Sequence, residues 1–92
     1  MDLREWLQTL CAEYGELTAG LPVVGVGYQW QIASSVAAAH LFAAGRDLAL
    51  GRPAATMEAR LRQAEAALRH MRGLVARRDA LRHGDRPADY PL

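Results

Sequence analysis

The chain has 92 residues, 51% of them hydrophobic, and its eleven basic and ten acidic side chains leave a formal net charge of +1. That length allows a single domain able to bury only about 60–65% of the surface its unfolded form exposes, and near-neutrality excludes a strong overall field of either sign. One cysteine rules out an internal disulfide and three scattered histidines offer no recognisable metal set, so the support that a small domain needs is expected from self-association.

Charge is unevenly spread. Residues 1–45 carry one Arg against four acids, a net of −3, whereas residues 46–92 carry ten Arg against six acids, a net of +4, and the chain contains no Lys. Such asymmetry suits an acidic partner or a nucleic-acid backbone, although an Arg-for-Lys and Ala-rich bias also reflects GC-rich coding. The opening MDLREWLQ is acidic and mixed, unlike the basic-then-apolar start of a secretory signal. With a single free cysteine, this points to a reducing cytoplasm.

A first helix is expected over about 2–19. Asp2 followed by Glu5 has the spacing of a capping box. Leu3, Trp6, Leu7, Leu10, Cys11, Tyr14 and Leu17 then recur in steps that make one apolar stripe. Cys11 reads as buried filler within that stripe, and Glu13 and Glu16 as a solvated face. Gly20 and Leu21-Pro22 stop the helix. The VVGVG that follows is an apolar, packed connection, since no strand precedes it and no Lys-Ser/Thr follows to make a phosphate loop.

A second helix is expected over about 28–50. At 100° per residue its apolar side chains fall into two stripes. Tyr28, Ile32, Val36, Ala39 and Ala43 share one face; Trp30, Ala37, Leu41, Ala44 and Leu48 lie nearly opposite. A helix apolar on opposite faces is buried on both. The small residues Ser34, Ser35, Ala38, Ala39 and Gly45 allow another helix to approach closely. His40, at the edge of the first stripe, has Val36, Ala37, Ala43 and Ala44 one turn away, so it has no co-ligand for a metal. It reads as a boundary histidine beside the association face. The uncharged run from Leu17 to Gly45 is long enough to span a bilayer. Pro22, the glycines, Gln29, Gln31, the two serines and the absence of a flanking basic cluster argue against that.

A third helix is expected over about 55–83, with Thr56 as N-cap and Gly84 as its end, leaving 84–92 as a Pro-containing tail. Met57, Leu61, Ala64, Leu68, Met71 and Val75 step by four and three, the seam of a helix packed along a neighbour, widened by Ala67 and Leu74. Arg62, Arg69 and Arg77 project from the other side as a basic ridge, diluted by Glu58, Glu65 and Asp79 and without interleaved aromatics.

Near the end of that helix, Arg78-Asp79-Ala80-Leu81-Arg82-His83 resembles the short motif of HEPN-type ribonucleases, all-α dimers whose motif combines an Arg, a polar residue and a His. The resemblance covers six residues. It would make Arg78 the phosphate-binding cation and His83 the acid/base or nucleophile-positioning group. In that family more helix follows the motif, whereas here Gly84 and a prolyl tail follow.

Together these features predict an all-α fold: a small antiparallel three-helix chain, with 1–83 as one helical domain, completing a larger helical bundle by oligomerisation. The expected function is that of a non-enzymatic interaction or adaptor protein without a cofactor or membrane span. It would act as a homo-oligomer or as a subunit of a larger complex through Tyr28, Ile32, Val36, Ala39, His40 and Ala43. The alternative is a nucleic-acid-binding accessory protein using Arg62, Arg69 and Arg77. A HEPN-like ribonuclease using Arg78 and His83 comes third.

Overall fold

A computed structural model describes residues 2–19 and 27–82, the side chains of residues 81 and 82 excepted. Of the packed connection expected over residues 23–27, Gly27 instead opens the second helix, and residues 23–26, His83 and the tail over 84–92 lie outside the described residues. Three α-helices follow in chain order: α1 over Leu3–Thr18, α2 over Gly27–Ala49 and α3 over Ala54–Arg82. There is no strand among the described residues, and none of these helices is long and apolar enough to cross a membrane.

The ends of α1 follow from local chemistry. Asp2 stands outside the helix with extended backbone, and its carboxylate accepts the Arg4 N–H at 3.1 Å. Its carbonyl accepts the Trp6 N–H at 2.9 Å, opening the helical ladder. In the last turn the Thr18 hydroxyl donates to the Tyr14 carbonyl at 2.8 Å.

The apolar stripe of α1 is covered unevenly. Leu10 is buried, while Leu3, Trp6, Leu7, Tyr14 and Leu17 are partly buried against the core. Cys11, expected as buried filler, is exposed. It sits about 80° from Leu3 on the helical wheel, at the stripe's margin, and the neighbouring helices cover only the middle.

α3 is the spine. Met57, Leu61, Ala64, Leu68 and Met71 are buried along one line, facing α2 and α1. At the end of the seam Leu74 is buried and Val75 only half-buried. Ala67 and Leu74 lie on the same flank of α3, and Ala67 sits in a groove beside Ile32, Ala33 and Val36. α2 answers with Ala33, Ala37, Leu41 and Ala44, all buried. Three of these four are alanines, which lets the α2 backbone lie close to α3.

The helices run up, down and up. The start of α2 lies beside Ala67 and His70, and its end beside Arg60. α1 runs in the same direction as α3, with Leu3 near Met57 and Glu13 ion-paired with Arg72.

The turn between α2 and α3 is closed by a Schellman motif. The Arg52 N–H donates to the Asp47 carbonyl at 2.9 Å and the Gly51 N–H to the Leu48 carbonyl at 3.2 Å. Gly51 takes φ +65°, a conformation that costs a side-chain-bearing residue about 1–2 kcal/mol. The next helix is capped by Pro53, whose carbonyl accepts the N–H groups of Thr56 and Met57. Thr56, expected at the N-cap, therefore lies in the first turn: the ring of Pro53 already fixes a backbone that can enter the helix one turn earlier.

In a Schellman motif a hydrophobic contact usually joins the two positions that Arg52 and Asp47 occupy here. An ion pair replaces it. Asp47 is 1% exposed, the only charged side chain buried among the described residues. Its two carboxylate oxygens face the Arg52 guanidinium at 3.4 Å and the Arg60 guanidinium of α3 at 3.3 Å. One side chain thus holds the end of α2, the turn and the first turns of α3.

Arg52 and Arg60 remain partly exposed and can rehydrate when alone, whereas the carboxylate cannot. Removing either arginine should lower stability modestly. Arg52→Ala/Arg60→Ala together should cost about 3–5 kcal/mol, more than the single losses combined, because a buried charge is then left without a partner. Urea unfolding of the four proteins measures this coupling. Additive, sub-kcal losses would contradict the anchoring role of Asp47.

Candidate functional site

Anchoring α2 through Asp47 also fixes how the helix is rotated. With Ala33, Ala37, Leu41 and Ala44 turned inward, the opposite face is turned to solvent. Tyr28 is 77% exposed, Ile32 50% and Val36 41%, and Ala39 is exposed between them. Four of the residues that the sequence assigns to an association face therefore lie on one uncovered surface. Ala43 is half-buried at its margin.

His40 is placed differently. It is half-buried in a groove with Thr56, Ala59, Arg60 and Gln63, on the flank where α2 meets α3. The wheel explains this: His40 stands about 120° from Tyr28 and only about 20° from the buried Ala33. It borders the core more closely than the outward face.

The outward face also includes Phe42 and Arg46, which the spacing of the first stripe does not include, and Ser35, expected as a small residue at a close approach. Phe42 is 70% exposed, and Ser35 and Arg46 are exposed on the same side. The signal was present in the steps 28, 32, 35, 39, 42 and 46, which alternate four and three as a heptad seam does. A stripe continued from Ala39 to Ala43 steps off this seam. The resulting surface is a strip of Tyr28, Ile32, Ser35, Ala39, Phe42 and Arg46, with Val36 beside it and Leu50, 59% exposed, beyond its end. Arg46 is the only exposed charge on α2, since Asp47 faces inward. Ser34, next to the strip, donates its hydroxyl to the Gln31 carbonyl at 3.2 Å and so meets its polar demand within its own helix.

The basic ridge of α3 is exposed as expected at Arg62, Arg69 and Arg77. Two of the three arginines are matched by an acid one turn earlier: Arg62 pairs with Glu58, and Arg69 with Glu65 at 3.8 Å. Exposed pairs of this kind contribute about 0.3–0.5 kcal/mol to the helix. They also lower the positive potential that a phosphate backbone would meet.

Of the ribonuclease-like motif, Arg78 and Asp79 are described, and the Arg78 guanidinium donates to the Asp79 carboxylate at 3.0 Å. Arg78 is half-buried. His83 lies beyond the described residues, so the geometry of that pair is outside the structure. Among the described residues no group of three or more His, Cys, Asp or Glu side chains comes close enough to hold a metal ion.

Comparison with protein-family models, with curated proteins and with solved structures found no match for the chain.

The rotation of α2 is directly testable. Ala39→Gln places a longer polar side chain on the open face and should change the stability of the dilute protein by no more than about 0.5 kcal/mol. Ala37→Gln, two residues away but fully buried, forces both volume and an unpaired amide into the α2–α3 contact and should cost more than about 2 kcal/mol. Chemical denaturation distinguishes the two. Equal effects would mean that α2 is rotated otherwise.

Proposed function

We propose that the protein is a non-enzymatic interaction module whose outward α2 face receives a helix from another protein molecule. The observation that carries this reading is the uncovered strip itself. Tyr28, Ile32, Val36, Phe42 and Leu50 stand in water on one side of the central helix. Scattered apolar side chains on a surface need no explanation, but a contiguous strip on one helix face marks an interaction site. Its form suits a helix-in-groove or helix-on-helix contact, in which anchors at three- and four-residue steps are read by the partner. The strip is nearly uncharged, so covering it desolvates little beyond apolar surface.

The α3 ridge supports nucleic-acid binding less well. Its arginines lie over a helix rather than in a groove, two are neutralised by neighbours, and no aromatic side chain is interleaved to stack on bases.

The test is association in cells with and without the strip. Two differently tagged copies of the chain are expressed in the source organism, and bound proteins are identified by mass spectrometry after native purification. Ile32→Glu and Phe42→Glu should each remove the associated protein, whether a second copy or another polypeptide, and Arg62→Glu/Arg69→Glu should not. Association unaffected by the two strip substitutions, or loss of bound nucleic acid as the sole effect of the arginine pair, would overturn the reading.

A further inference from the structure

The strip on α2 has an internal order that selects its occupant. We infer that α2 pairs with α2 of a second copy, antiparallel, about a two-fold axis that crosses the helix at the level of Ala37. This deepens the interaction reading above and rests on it.

In an antiparallel helix pair the two kinds of seam position face each other across the axis, so each layer joins one residue of each kind. Taking 32, 39 and 46 as one kind and 28, 35 and 42 as the other, a single register brings all six together. Tyr28 meets Arg46 of the second copy, Ile32 meets Phe42, and Ser35 meets Ala39; the same contacts recur on the other side of the axis, as an isologous interface requires. All six positions are exposed in the monomer.

Each layer is complementary. The central Ser35 and Ala39 are small, which permits the axes to approach to about 8 Å at the crossing point. The larger Ile32 and Phe42 fill the space as the helices diverge. At the ends, the Arg46 guanidinium reaches the face of a tyrosine ring, an arrangement favoured for Arg over aromatic rings.

Charge selects the direction. Arg46 is the only exposed charge on α2. In the antiparallel register the two arginines stand about 18 residues apart, roughly 27 Å at 1.5 Å per residue. A parallel pair would set them side by side with no acid on the face to neutralise them, and would align the helix dipoles unfavourably.

Area is consistent with a dimer. A buried aromatic side chain covers about 150–250 Å², so Tyr28 and Phe42, at 77% and 70% exposure, each still offer roughly 100–190 Å². Two-fold symmetry doubles this to four rings and about 400–750 Å², a substantial share of the ~1,200–2,000 Å² buried in a stable interface. Ile32, Val36 and Leu50 add to it from both copies.

The register is tested by complementary charges. Sedimentation velocity of the purified chain at micromolar concentration should show a dimer. Ile32→Arg and Phe42→Glu should each give folded monomers, with helix content checked by circular dichroism. A mixture of the two variants should restore a dimer: one layer then pairs the introduced guanidinium with the introduced carboxylate across the axis, and its symmetry mate keeps the native Phe42–Ile32 contact. A parallel pair offers no such rescue. In a Cys11→Ser background, mixed Tyr28→Cys and Arg46→Cys proteins should oxidise to the mixed disulfide in preference to either symmetric one.

A monomeric wild type overturns self-pairing while leaving the interaction reading to its own cellular test. A wild-type dimer with no rescue, or with symmetric disulfides prevailing, overturns the antiparallel register. Covering of the strip by the chain's own remaining segments gives the first of these outcomes.

Discussion

Asp47 is the constraint on which the rest of the structure depends. A buried carboxylate is unfavourable unless its charge is matched, and both of its oxygens are held by guanidinium groups. Because Arg52 lies in the turn and Arg60 on α3, matching that charge requires α2 to end, the chain to reverse at Gly51, and α3 to return along the same side. The Asp47 carbonyl accepts the Arg52 backbone N–H as well, so main chain and side chain impose the same geometry. An apolar contact at this position would stabilise the reversal without defining the rotation of α2 as narrowly, since it lacks direction.

From that fixed corner the two long helices run back along one another on a seam of alternating size. The alanines of α2 lie against the leucines and methionines of α3, and the close approach they permit buries the middle of the inward stripe of α2, while at its ends Trp30 is only partly buried and Leu48, expected on that stripe, is exposed. α1 adds a looser third side: only Leu10 of its stripe is buried. Both neighbours of α2 lie on its inward side, so among the described residues its opposite stripe meets no helix. The uncovered strip thus follows from a doubly apolar central helix whose two neighbours share one side.

Much of this was legible in the sequence because periodicity reports burial. The three helices and the two faces of α2 follow from side-chain spacing alone, and the inward Ala37, Leu41 and Ala44 and the outward Tyr28, Ile32, Val36 and Ala39 lie where the wheel put them. What escaped depends on pairwise geometry or on position at a stripe's edge. Asp47 carries no mark of burial in its own neighbourhood; that burial depends on Arg60, thirteen residues away, and on the path of the turn. Cys11 and His40 lie at margins, where coverage is decided by how neighbouring helices tilt. Thr56 lost the N-cap to Pro53 because the turn was shorter than the cap pattern implied. Phe42 falls outside a stripe drawn from Ala39 to Ala43, a step of four where the seam steps by three.

Phe42 is the chain's one phenylalanine, which makes it a direct reporter of the outward face. Selective isotope labelling of phenylalanine gives ring resonances from that site alone, observable while the protein is diluted in the presence of a soluble paramagnetic probe. The account predicts that the ring is shielded from the probe at high concentration and becomes accessible on dilution, with shifts that follow the monomer–dimer equilibrium. A ring equally accessible at every concentration, in a protein whose helix content is intact, would contradict it.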